Sequence, residues 1–312
     1  MFTIILAALF VAQPADGHPD RYVDQLISGE IGLIEFDYGA VRFPVDDPSH
    51  QAAWERLAAY NERFSDHVPE GGDYLAGGNT AICDSSMLYR GRQAAEAAPD
   101  YASFARGHAA ARQWYDDWHS SQRLALEVEL AENEAGARSD IHRRVHWDQA
   151  WRHALSGVMM APSDDLVVQE LSMGIVISGI CRVDANNRVF VEQYLAENGW
   201  PRISTHGAEA DNGLWIMLQH ASPDLQATWL PELEQLNSAG DTNPRNYALL
   251  YDRVMMHAGQ PQRYGSQYTC VDGMYELYDT EDMDSVDARR LAMGMNTVEE
   301  NGARFQGLQC GN

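Results

Sequence analysis

The sequence predicts a mainly α-helical protein, an antiparallel helical bundle with a small β-hairpin near its C-terminus. Three observations predict it. Apolar residues recur at helical spacing over most of the chain. Capping residues or prolines precede these segments and glycines follow them. One Asp-Gly pair, Asp272-Gly273, separates two short runs rich in β-formers.

From the N-terminus, Met1 to Gly17 reads as a secretory signal peptide. Ile4 to Val11 is an unbroken apolar run, and Ala15-Asp16-Gly17 places small residues at the −3 and −1 positions of a cleavage site. The run is too short to span a bilayer. No Arg or Lys precedes it, so the competing reading is an apolar helix packed on the domain. No later stretch approaches the ~20 apolar residues of a membrane span, which predicts no membrane partner once the leader is removed.

Ile31 to Phe36 is the best strand candidate of the N-terminal part. Residues 50–66 have helical spacing, with Ala53, Leu57, Tyr60 and Phe64 on one face. Glu70 to Asn79 is a glycine-dense loop without the Lys or helix start of a phosphate-binding loop. Pro99 suits a first helical turn, ahead of Phe104, His108, Ala111 and Tyr115 on one stripe. A further helix over 121–135 ends at Gly136, and Ser139 or Asp140 caps the next, which runs to about Leu155 before Gly157. This pattern predicts a mixed N-terminal region at 18–138 and a helical domain at 139–312. No repeat period of roughly 20–50 residues emerges, so a solenoid is not expected.

Asp184 to Asn198 reads as a helix with Val189, Phe190 and Leu195 inward, stopped by Gly199-Trp200-Pro201. Residues 206–221 form a nearly all-apolar helix. Pro223 opens another, carrying Leu225, Trp229, Leu233 and Leu236. Thr242 or Asn243 caps a fourth, which starts with Pro244 and ends at Gly259. The hairpin runs from Tyr264 to Cys270 and from Met274 to Tyr278, and a short helix at 285–293 stops at Gly294.

Composition excludes several chemistries. The net charge is −24, and all 22 basic residues are arginine. Without lysine there is no Schiff base, no pyridoxal phosphate attachment and no P-loop. The acidity argues against nucleic acid, which needs clustered cations. Four cysteines, Cys83, Cys181, Cys270 and Cys310, suit an exported chain with two disulfides and lack metal-type spacing. Cys270–Cys310 would pin the polar tail to the hairpin, and Cys83–Cys181 would link the two regions.

Short motifs stand in order along the C-terminal half: Asp148-Gln149 with Arg152; Val183-Asp184 with Asn187; Gly199-Trp200-Pro201; Gln219-His220; Asp252-Arg253. Gly259-Gln260-Pro261-Gln262 then leads to Tyr264-Gly265-Ser266-Gln267, and Asp287 to Gly294 closes the series. Over about residues 140–300 this series resembles a bacterial domain-of-unknown-function family, number six-six-two-four. Ser266 stands where threonine is usual, and His206 where an aliphatic residue is usual. The resemblance implies positions to examine and no reaction, and it leaves residues 18–138 without a counterpart.

Short connections between the four helices at about 183–258 predict antiparallel neighbours. One end of the bundle would then gather a polar cluster. Its functional reading makes His220 a general acid or base, Asp252 the carboxylate orienting it, and Arg253 the group that binds a small anionic ligand. Asp148, Arg152, Asp184, Asn187, Gln219, Gln262, Tyr264 and Gln267 would line the site. The chain would then be an extracytoplasmic enzyme or small-ligand-binding protein, periplasmic or secreted. The alternative is a non-enzymatic interaction or scaffold protein, in which the same residues form a structural network. No metal is assigned. A cation between His142 and His146, with His153 two turns on, is opposed by Arg143 and Arg144. Cofactor and oligomeric state stay open.

Overall fold

A computed structural model describes residues 18–65, 82–132, 137–305, 307, 308 and 310. The leader, the glycine-dense loop and Gly136 lie outside the described residues. The fold is mainly α with one two-stranded antiparallel sheet near the C-terminus, as expected. The chain divides into two compact units, one drawn from Met1–Asn133 and His146–Ala185, the other from Glu134–Val145 and Asn186–Asn312.

The first unit holds α1 (Pro19–Ile27), α2 (Tyr38–Arg42), α3 (Pro48–Ser65), α4 (Cys83–Ala97) and α5 (Tyr101–Glu132). It also takes residues 146–160 of α6 (Ala137–Met160) and 166–185 of α7 (Leu166–Asn198). On α1, Tyr22, Val23 and Leu26 are buried together, a spacing that turns one face inward. The segment 31–36 is not a strand. It has no partner strand to complete its backbone hydrogen bonds, so it turns instead, and Phe36 stacks on Tyr22 at 4.7 Å between ring centroids. Asp37 then caps α2, accepting the Ala40 N–H at 2.9 Å and the Tyr101 hydroxyl at 2.8 Å. The core of this unit is built on Phe104, Tyr38, Leu57, Met87, Leu88 and Leu171.

Two expected breaks are absent. The segments beginning at Pro99 and at 121 are one helix, α5, because no proline or glycine interrupts residues 108–132. The helix expected to start at Asp184 is the C-terminal part of α7, which begins at Leu166. Asp184 and Asn187 therefore lie within a helix and not at its start. Gly179 does not end this helix, since a Cβ there would stand 2.6 Å from the Trp151 ring. The glycine is a close-packing site. An 18-residue window of α7 has mean hydropathy 1.6, which corrects the expectation that no later stretch matches a membrane span in composition. Its Val167, Leu171, Ile175 and Val176 are buried in the core of the first unit, and Cys181 on the same helix is bridged to Cys83.

The second unit holds the remainders of α6 and α7, then α8 (Ile203–His206), α9 (Ala208–Leu218), α10 (Pro223–Ser238) and α11 (Pro244–His257). Strands β1 (Tyr268–Val271) and β2 (Met274–Leu277) follow, then α12 (Val286–Ala292) and α13 (Val298–Gly302). Ser222 caps α10 and Asn243 caps α11 through their side-chain oxygens. Leu214, Met217, Leu218 and Leu233 centre the core. Asp211, fully buried on α9, accepts the Trp200 indole N–H at 2.7 Å, the Thr242 hydroxyl at 2.6 Å and the Asn243 N–H at 3.0 Å. One carboxylate thus fixes the Gly-Trp-Pro turn and the entry to α11 together. In the hairpin Val271 pairs with Met274, and Asp272 and Gly273 both have positive φ, 50° and 80°. Those angles are the signature of a type I′ turn. Both expected disulfides form, Cys83–Cys181 and Cys270–Cys310, and they fit an oxidising compartment.

Candidate functional site

Asp252 projects from α11, fully buried, and both of its oxygens are engaged by one loop. Oδ1 accepts the N–H groups of Arg263 at 2.8 Å and Tyr264 at 2.9 Å, and Oδ2 accepts that of Ser266 at 2.9 Å. Burial pushes its pKa above the ordinary carboxylate range, while these amide bonds pull it down. Arg290 from α12 holds the carbonyl side of the same loop. It is fully buried, and its Nη1 donates to Tyr264 O at 2.6 Å and Gly265 O at 3.0 Å. Burial lowers its pKa. The loop is therefore gripped by an anion on its amide side and a cation on its carbonyl side.

The neighbouring motif residues serve the same segment. The buried Gln262 side chain accepts the Gln267 N–H at 2.8 Å and donates to Gln267 O and Tyr278 O. The Gln267 side chain donates to the Ser266 hydroxyl at 2.9 Å. The Tyr264 ring packs edge-on to Tyr247 and Tyr251. Arg289 donates to the carbonyls of Arg263, Glu281 and Asp282. Arg253 Nη1 donates to Gln219 O at 2.6 Å, where the end of α9 leaves carbonyls to satisfy. His220 is half-buried in the turn after α9, its N–H bonded to Met217 O at 3.2 Å. Asn187 accepts a 3.3 Å hydrogen bond from Arg144.

Three of the named residues meet in the first unit. Asp148 is buried and accepts Gln149 Nε2 at 2.6 Å and Arg152 Nε at 3.3 Å. Arg152 Nη2 reaches Asp184 Oδ1 at 2.5 Å. One guanidinium on α6 thereby bridges a carboxylate on its own helix and one on α7, offsetting their mutual repulsion.

The first unit also forms an open pocket of about 570 Å³, with His153, Gly157 and Ala161 exposed at it. Trp114, Trp118 and Gln122 line it from α5, with near-parallel indoles (13°) whose centroids are 6.3 Å apart. Trp118 is braced from behind by Trp151 at 4.4 Å and Trp147 at 6.4 Å, which fixes the wall in place. From α6 come the small residues Ala150, Ala154 and Gly157, with Val158 and His153, and Ala161 follows just past the helix end. They recur at helical spacing, so one face of α6 is shaved back. Ser163, Val168, Gln169 and Ser172 complete the lining from the start of α7 and the turn before it. No Asp, Glu or Arg is among them.

Of these lining residues the sequence singled out only His153, in connection with a metal, and Gly157, as the stop of a helix that instead continues to Met160. The signal was present as spacing: Trp114, Trp118 and Gln122 at i, i+4, i+8, and Ala150, Ala154, Gly157 and Ala161 at i, i+4, i+7, i+11. Each stripe alone reads as core. Only their juxtaposition makes a void.

A family model described as a family of unknown function (DUF6624) matches residues 161–306, a little under half of the chain. It covers every motif quoted above except the Asp148-Gln149-Arg152 element, which precedes it. No curated protein and no solved structure matches the chain. The matched residues 161–306 are thus similar to the family of unknown function that their motifs resemble.

Proposed function

We propose that the protein is an extracytoplasmic small-ligand-binding protein, periplasmic or secreted, whose ligand occupies the α5–α6–α7 cavity of the first unit. The observation that carries the reading is the cavity itself. Its volume of about 570 Å³ suits a small molecule, and its lining is apolar and aromatic with a few neutral polar groups. The two disulfides and the expected leader support the location. In this reading Asp252 and Arg253 are structural. What supports that is the engagement of both Asp252 oxygens by backbone amides and of Arg253 by a helix-end carbonyl.

The test is a thermal-shift screen of uncharged small molecules on the full chain and on Ala154→Leu, which fills the cavity from α6. A ligand at a hundred times its Kd stabilises by about 2.7 kcal/mol. Hits that raise the melting temperature of the wild type and not of Ala154→Leu are expected. Hits that act equally on both would place the ligand elsewhere and overturn the reading.

A further inference from the structure

Resting on that reading, we infer that the cavity takes a neutral saccharide ring, seated between the Trp114–Trp118 wall and the bare backbone of α6 at Gly157. Four features converge on this chemistry.

The first is charge. The chain carries 46 acidic and 22 basic residues, yet no Asp, Glu or Arg lines the cavity. An ionised ligand would find no carboxylate or guanidinium there to pair with. The second is shape. Two near-parallel indoles offer flat apolar faces, on which the C–H face of a sugar ring packs while its hydroxyls point outward.

The third is polar capacity. Gln122, His153, Gln169 and Ser172 line the same space. Ser172 is only 6% exposed and lines the pocket, where its hydroxyl can donate and accept. Gln169 spends its oxygen on the Ser163 N–H at 2.9 Å, which leaves its NH₂ as a donor. Side-chain amides and a serine hydroxyl together supply donors and acceptors, as a ring bearing several hydroxyls requires. A plain aromatic ligand would leave these groups unmatched.

The fourth is Gly157. Glycine weakens a helix interior relative to alanine, and here nothing in the packing calls for it. A Cβ built at Gly157 meets no atom within 4 Å, whereas one at Gly179 would strike an indole. Gly157 is exposed and lines the pocket, so the space beside it is open to solvent and to a ligand alike. Close approach of a ligand to backbone is the use such a glycine serves.

The experiment is isothermal titration of the full-length protein with cellobiose, maltose and N,N′-diacetylchitobiose. Glucuronic acid and glucosamine serve as charged probes, indole and nicotinamide as neutral aromatic ones. At least one neutral disaccharide is expected to bind with millimolar or tighter Kd, at least tenfold tighter than the charged sugars. Gly157→Leu, which fills the slot, is expected to weaken that binding at least tenfold. Should Gly157→Leu fold poorly, Gly157→Ala replaces it, expected to melt at a higher temperature than the wild type and still bind several-fold more weakly. Binding of indole or nicotinamide with no response to any sugar overturns the saccharide assignment and leaves the cavity reading standing. A sugar whose affinity is the same in wild type and Gly157→Ala overturns the placement at α6. No heat with any of the probes, together with no hits in the screen above, overturns both.

Discussion

Asp252→Asn removes one acceptor from a carboxylate that serves three backbone amides. Oδ1 carries two of the bonds and Oδ2 the third. Whichever way the asparagine amide turns, at least one loop N–H faces an NH₂ group and not an oxygen. An unsatisfied buried donor costs about 1–3 kcal/mol. The surviving bonds lose their charge assistance, which roughly halves each and removes about 1 kcal/mol more. Arg290, held against the other side of the loop, loses a nearby negative charge as well. The sum is about 2–4 kcal/mol. For a domain of this size each kcal/mol moves the midpoint by roughly 2–4 °C, so the second unit should melt lower by about 4–16 °C. Circular dichroism melts of wild type and Asp252→Asn measure this, and hydrogen exchange at Arg263, Tyr264 and Ser266 localises it. A midpoint within 2 °C of wild type (roughly the smallest shift that a 1 kcal/mol change gives), with those amides equally protected, would refute the clamp.

The remaining predictions concern the turn, the cross-links and one buried imidazole. Gly273 has φ 80° in the hairpin turn, so Gly273→Val should destabilise by about 1 kcal/mol or more through backbone strain; an unchanged melt would contradict it. Reduction should add the mass of four hydrogens to the intact protein, since both cysteine pairs are bridged. Cys83 and Cys181 are 98 positions apart, and loop entropy alone makes the double serine variant about 4–5 kcal/mol less stable. His108 is buried against Ile34 O at 3.0 Å, and burial holds its pKa below the ordinary value of 6.5. Its neutral form is the folded form, so the stability it contributes is present above the unfolded pKa and lost as pH falls below it, until the folded pKa is reached. Urea midpoints should therefore fall from about pH 6.5 downward, by at most about 1.4 kcal/mol per pH unit from this one proton, and His108→Gln should flatten that part of the curve. An identical pH profile in the variant would exclude His108 as its source.

The local signals were sound where they were strong and misleading where they were read alone. Capping residues and prolines located the starts of α10 and α11 because they act on the backbone directly. The Asp-Gly pair located the hairpin for the same reason. The strand expected at 31–36 failed because β-formers need a partner strand, and the described chain offers two strands that pair only with each other. The start expected at Asp184 failed because a polar residue after an apolar run imitates a cap when the run is itself helical. α7 stays helical through Gly174 and Gly179, and each of these packs against a side chain of the first unit that needs the missing Cβ. A stop signal and a close-contact signal are the same letter, and only tertiary packing separates them.

The candidate site was legible in reverse. Motif residues drew attention because they are polar, charged and spaced unlike a helix face, and such residues suit a catalytic cluster as well as a buried network. Asp211, Asp252 and Arg290 are each fully buried, and each ties its own helix to another segment of the chain. A buried carboxylate tolerates its desolvation when backbone amides surround it, so the sequence cost of such a clamp is a fixed charge at a fixed position. That is also what a catalytic residue looks like in one dimension. The cavity, by contrast, is written in alanines, a glycine and two tryptophans, which composition alone assigns to the core. Ala150, Ala154 and Gly157 on α6 stand opposite Trp114 and Trp118 on α5, and the volume between them depends on a pairing of helices that no local pattern encodes. If the cavity were a packing defect, filling it should stabilise the protein and change nothing else. Gly157→Ala therefore carries the argument in both directions: a higher melting temperature with affinity unchanged would take the ligand away from α6, and a higher melting temperature with binding weakened several-fold would make the pocket a site.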